Sequence, residues 1–139
     1  MTHAEILKGA LQAIKDGIDN AGYYDAVAVG EVDYRKIDYP CVQIIQGRTD
    51  ETTDLEYSQE VELIIYYKKG VKGYTVTEYL NTLDEIGDTL DKIETEILKS
   101  DFVGPYKMNN TEPYAPFEVK NNRLLPFVVS IECRMHKGG

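Results

Sequence analysis

One long amphipathic period constrains this chain more than any other feature. From Thr75 to about Lys99 the apolar residues Val76, Tyr79, Leu83, Ile86, Leu90, Ile93 and Ile97 recur at alternating steps of three and four, a spacing that gathers them on one side of an α-helix. At 1.5 Å per residue that helix is about 37 Å long, and its stripe needs cover along the whole length. The same spacing is also the seam of a coiled coil. Leu80 and Leu98 widen the stripe beyond a strict seam, which favours packing on a sheet. Thr75 and Glu78 form a capping box at the start. Gly70 to Gly73 ahead of it reads as a turn, and Gly87 weakens the middle modestly.

The sequence also supplies a sheet to receive such a helix. Leu55 to Lys68 alternates, with Val61, Leu63, Ile65 and Tyr67 on one face and Glu60, Glu62, Ile64 and Tyr66 on the other, so it predicts a long strand at the sheet's centre. Cys41 to Gln46, entered through Pro40, reads as a buried strand that pairs with the apolar segment Ala26 to Val32. Between these strands Gly47 to Asp54 is polar and reads as a protruding surface loop. Ser100 to Pro116 carries glycine, prolines and paired asparagines, the mark of a long connector, with a short strand at Tyr106 to Met108. Phe117 to Lys120, an Asn121-Asn122 turn and Leu124 to Met135 predict a closing hairpin, with Pro126 suggesting an edge strand or a bulge.

An opening helix comes first. Thr2 and Glu5 form a capping box, Leu7, Ala10, Leu11, Ile14 and Ile18 follow at helical spacing, and Gly22 stops the pattern. The predicted fold class is therefore α+β: a mainly antiparallel sheet of about four to six strands with two amphipathic helices packed against it. A length of 139 residues fits a single domain, 1–139, with one core.

Composition removes several function classes. Fifteen Lys and Arg against 24 Asp and Glu give a net charge of −9, which repels phosphate backbones and anionic lipid. No apolar run is long enough to span a membrane, and the start MTHAEILKG lacks a signal peptide's basic and apolar regions. Cys41 and Cys133 then read as buried free thiols in a reducing cytoplasm.

The residues carry no recognisable catalytic equipment. His3 and His136, the only histidines, lie near opposite ends of the chain, so a triad is not expected. The four His and Cys residues have none of the spacings that preorganise zinc. Gly70-Val71-Lys72-Gly73 lacks the glycine spacing and Lys-Ser/Thr pair of a phosphate loop. Asp84, Glu85, Asp88, Asp91, Glu94 and Glu96 fall on the polar side of the long helix and read as a solvated face. No enzyme activity, cofactor or metal is expected, which leaves holding other proteins together. Eleven tyrosines, among them Tyr34, Tyr39, Tyr57, Tyr66, Tyr67, Tyr106 and Tyr114, suit either an interface or plain strand propensity.

The order helix, strand, strand beginning YPCVQII, polar segment, long strand QEVELIIYYKK, long helix TVTEYLNTLDEIGDTLDKIETEIL and closing hairpin resembles the tail terminator, or tail completion, proteins of long-tailed bacteriophages. The likeness covers nearly the whole chain and rests on size, element order, Tyr39-Pro40 and the polar loop. It implies a virion protein of the tail and neck, assembled in the host cytoplasm. It also implies a homo-oligomeric, hexameric ring that caps the tail tube protein and offers the joining surface to a neck or head-completion protein. DNA would pass through the lumen without sequence-specific contact, past acidic residues. Other head–tail connector, neck or minor capsid proteins share this outline, and a cellular acidic protein-binding regulatory domain is a further alternative. A head-to-tail ring needs two unlike patches per subunit. The candidates are Arg48, Asp50, Glu51 and Asp54 of the polar loop, Ile64 and Tyr66 as the exposed side of the long strand, and Tyr106 and Tyr114 of the connector.

Overall fold

The structure, a computed structural model, describes residues 3–53, 56–69, 75–99, 103–108, 112–113, 117–119 and 122–136. Helix α1 (His3–Ala21) leads to strands β1 (Ala26–Val29), β2 (Cys41–Thr53) and β3 (Glu56–Lys69), then helix α2 (Val76–Lys99). Strand β4 (Val103–Met108), the short β5 (Glu112–Pro113) and β6 (Phe117–Val119), and the long β7 (Asn122–His136) complete the chain. The sheet order is β1-β2-β3-β7-β4, with β5 and β6 also paired to β7. Among the described residues only β1–β2 is parallel; the other pairings are antiparallel. This is the expected α+β class, with the long strand at the centre.

The alternation of β3 decides which face meets the helices. Val61, Leu63 and Ile65, with Val42 and Ile44 of β2 and Phe127, Val129 and Ile131 of β7, pack on Ile14 and Ile18 of α1 and on Ile86, Ile93 and Ile97 of α2. Phe127 anchors this core, with the Tyr67 ring edge-on at 6.0 Å and the Tyr79 ring at 5.8 Å. The two helices touch at Gly17, where a Cβ would stand 2.5 Å from the Ile93 Cα; only glycine permits this approach. Gly22, at φ +77, stops α1.

Three tyrosine hydroxyls pin α2 from the side. Tyr23 donates to Asp88 at 2.9 Å, Tyr24 shares a hydrogen with Thr89 at 2.7 Å, and Tyr67 donates to Glu85 at 3.1 Å. The Thr75–Glu78 capping box forms as expected, with the Glu78 amide donating to Thr75 Oγ1 at 3.2 Å. The buried stripe is narrower than the sequence period, however. Thr82 and Thr89 are buried with Ile86, Ile93 and Ile97, whereas Val76, Leu80, Leu83 and Leu98 are exposed. Each threonine hydroxyl satisfies itself by donating to the carbonyl four residues back, Thr82 to Glu78 and Thr89 to Glu85.

Several boundaries differ from the sequence reading. Gly47–Thr53 is strand, not loop: β2 stays paired to β3 as far as Thr53↔Glu56, with register shifts between Gln46 and Thr49 and between Glu51 and Thr53. Strand formation depends more on an available partner than on polarity, and the long β3 provides one. At the first shift Gly47 lies so near Glu60 that a Cβ would come within 3.0 Å of it. The buried Gln59 side chain holds the bulge by donating to Gly47 O at 3.2 Å and to Glu60 O at 2.8 Å. Pro126 lies in an interior strand, opposite Tyr66. On the other side of β7, among the described residues, the pairings to β5 and β6 stop at Phe127 and resume at Leu124, so no strand partner faces Pro126 there. Asn122 already pairs with Val119, so β7 begins within the expected Asn121-Asn122 turn. Thr2, Asp54, Tyr114 and Gly70 to Gly73 lie outside the described residues.

Candidate functional site

The outer face of the sheet, away from the helices, divides into two regions. Toward the start of β2 the connection from Gly30 to Pro40 folds over it, and Tyr34, Ile37 and Tyr39 cover Cys41, Ile64, Tyr66 and Val128. Asp33 shapes this connection, its side chain accepting from the Arg35 amide and its carbonyl from the Lys36 and Ile37 amides. A chain of hydrogen bonds then fastens it down. Tyr39 donates to Tyr34 O at 2.6 Å, the Tyr34 and Tyr66 hydroxyls meet at 3.1 Å, Tyr66 donates to Gln43 Oε1 at 2.8 Å, and Gln43 Nε2 donates to Gly30 O at 2.6 Å.

The expectation that Ile64 and Tyr66 form an exposed patch is therefore corrected. They are 8% and 4% exposed, because the parallel β1–β2 pairing forces the intervening chain across this face. Burial raises the Tyr66 and Tyr67 hydroxyls well above the usual phenol range, pushes Tyr39 up to about 12 and pushes the Cys41 thiol up to about 12. Burial with a contribution from Glu132 raises Cys133 to about 11. Thiols held protonated in this way are poor nucleophiles and poor metal ligands.

Toward the β2–β3 hairpin the outer face is open and carries three carboxylates beside the exposed Arg134, which pairs with Ser58. Glu60 and Glu62 of β3 and Glu132 of β7 project here, since Glu60 pairs with Glu132 and Glu62 with Ser130. With Ile45, Gly47 and Ser130 they line a shallow trough of about 290 Å³. Ser58 donates to Glu132 at 2.9 Å. Among the described residues no group of three or more His, Cys, Asp or Glu is arranged to hold a metal ion, and no helix is long and apolar enough to cross a membrane. Three carboxylates give the trough a negative lining, with Arg134 and Lys107 at neighbouring register positions.

Of the eight candidate residues, four come to this end of the sheet. Arg48 and Asp50 form an exposed ion pair of 2.7 Å on β2. Glu51 follows on the same strand, at the register position of Tyr57. Tyr106 stands opposite Cys133 on β4, three strand spacings from β2, or about 14 Å. Sequence reasoning did not single out the trough. Glu60 and Glu62 were legible as one face of β3, but Glu132 joins them only through the β3–β7 register, a non-local fact.

The other end of the β3–β7 ladder is basic, with Lys68 beside Leu124 and Lys69 beside Arg123. Lys68 and Arg123 are exposed, and the Lys68 ammonium lies 5.8 Å from the centre of the Tyr39 ring. A single ribbon of two strands, about 46 Å long at 3.3 Å per residue, thus closes on cations at one end and carries a cluster of three carboxylates in its other half.

No family model matches the chain, and no curated protein matches it. Among solved structures, one protein bearing no functional name aligns over 96% of each chain with 10% identity and a TM-score of 0.47. A chain from the virion of a native gene transfer agent particle aligns over 92% of each chain with 8% identity and a TM-score of 0.36. At these scores neither likeness bears on function.

Proposed function

We propose that this chain is a structural protein of a phage-like virion and, within that class, a tail terminator. In this reading copies of it close into a ring, of six subunits by the family resemblance, which caps the tail tube and receives the neck or head-completion protein. It works without chemistry or cofactor, in the tail and neck of the particle.

The observation that supports this reading is the polarity of the β3–β7 ribbon. Glu60, Glu62 and Glu132 gather in the half toward the β2–β3 hairpin, with Arg134 beyond them, and Lys68, Lys69 and Arg123 close the opposite end. Head-to-tail contact between unlike patches produces a ring when the rotation closes and a filament when it does not. A chain with one kind of patch would instead pair about a two-fold axis and stop. Opposite charges in the two halves steer such contacts and reject the wrong register. Acidic groups left facing the lumen would keep DNA from adhering as it passes.

Electron microscopy of the purified chain, alone and mixed with tail tubes, tests this. Rings in the absence of tubes, and a ring seated at the tube end in their presence, are the expected outcome. A dispersed monomer that ignores tubes contradicts it.

A further inference from the structure

The first half of α2 carries an apolar strip that the fold leaves open. Val76 is 76% exposed, Leu80 54% and Leu83 38%. At about 100° per residue the three fall within roughly 60° of one another around the helix, a little over a quarter turn from the buried side. Gly87 occupies the next place along the strip. It is exposed, and among the described residues a Cβ there meets nothing within 4 Å. Glycine weakens a helix interior relative to alanine, and no internal packing requires it at 87, in contrast to Gly17 against Ile93. The strip therefore ends in a flat spot where another backbone can come close.

Charge identifies the occupant. Asp84 and Asp91, both exposed, border the strip on the side away from the core, the exposed Glu94 continues its line, and no Lys or Arg occurs between Thr75 and Asp91. Two copies meeting strip to strip would bring these carboxylates together, which disfavours self-pairing. We propose that the strip docks a basic amphipathic helix of another protein. Its apolar residues would cover Leu80 and Leu83, its backbone would approach at Gly87, and its Lys or Arg side chains would face Asp84, Asp91 and Glu94. This goes beyond ring formation and does not depend on it.

The test uses the full chain and three synthetic peptides of about 18 residues: one with leucines at i, i+3, i+4 and i+7 flanked by lysines, a scrambled version, and a version with glutamates for lysines. Fluorescence anisotropy gives the affinities, and circular dichroism confirms that each variant of the chain is folded. The ordered basic peptide is expected to bind best. Leu80→Ser and Leu83→Ser should each weaken it by about tenfold, the scale of one large apolar contact. Gly87→Leu should weaken it similarly while raising the melting temperature, which separates docking from helix stability. Asp84→Asn with Asp91→Asn should flatten the salt dependence. Equal binding of the scrambled or acidic peptide overturns the proposal, as does full affinity in Leu80→Ser and Gly87→Leu. Dispersal of self-assembled rings by Leu80→Ser, with no peptide binding, assigns the strip to a second copy and also overturns it.

Discussion

The two halves of the β3–β7 ribbon are built from the same two strands and held to different standards. From Leu63 to Tyr67 and Leu124 to Val129 every residue but Pro126 belongs to the buried hydrophobic core, with helices on one face and the 30–40 connection on the other. From Ser58 to Glu62 and Ser130 to Arg134 the inner face stays buried at Gln59, Val61, Ile131 and Cys133, while the outer face turns to carboxylates and serines with the exposed Arg134 beside them. In the first half side-chain volume is fixed on both sides. In the second, one side is left to charge. The lesson is that substitutions in the closed half should report on folding and those in the open half on assembly.

Alkaline pH should have the largest effect, because buried groups of both halves and of the 30–40 connection act at once. Cys41, Cys133 and Tyr39 titrate at about 12, about 11 and about 12 in the fold, against about 9 for an ordinary thiol and about 10 for an ordinary phenol; Tyr66 and Tyr67 are raised as well. For groups raised on folding, the folded state holds its protons longer, so the stability is complete below about pH 9 and is lost as pH rises to about 12. Denaturant melts at pH 8 and pH 11 should show a large fall in midpoint. Phe127→Ala removes the ring shared by Tyr67 and Tyr79 and should cost about 4 kcal/mol in the same assay. Gly17→Leu drives a side chain into the Ile93 backbone, with an expected loss of about 3 kcal/mol.

Tyr66→Phe sharpens the contrast within the outer face. It leaves the buried Gln43 oxygen without its donor, so a loss of about 1–2 kcal/mol is expected, accompanied by faster amide exchange across residues 30–40. Glu62→Gln, on the same strand but in the open half, should change stability by less than about 0.5 kcal/mol. A Glu62→Gln loss as large as that of Tyr66→Phe would erase the distinction between the halves.

The sequence made the closed half legible because burial leaves a period. The alternation of β3 gave its inner face, and the Thr75–Glu78 capping box gave the start of α2. Where the pattern misled, a non-local fact had intervened. Gly47–Thr53 looks like a loop until β3 lies beside it, and Ile64 and Tyr66 look exposed until the 30–40 connection crosses them. Tyr24 and Thr89, 65 residues apart, meet only once α2 is docked. The tyrosine surplus likewise goes largely to internal pins at Tyr23, Tyr24, Tyr34, Tyr39, Tyr66 and Tyr67. The acidic trough needed the register of β3 against β7, which no local spacing encodes.

Head-to-tail closure through unlike ends is tested most directly by sedimentation velocity on three charge-reversed chains. One carries Glu60→Lys, Glu62→Lys and Glu132→Lys, a second carries Lys68→Glu and Arg123→Glu, and the third carries all five. The wild-type chain is expected to sediment as a ring, the first two as monomers, and the third as a ring again, because reversing both ends restores the match. Wild-type behaviour in the single-end variants, or a third chain that stays monomeric while folded, would contradict assembly through the ends of the ribbon.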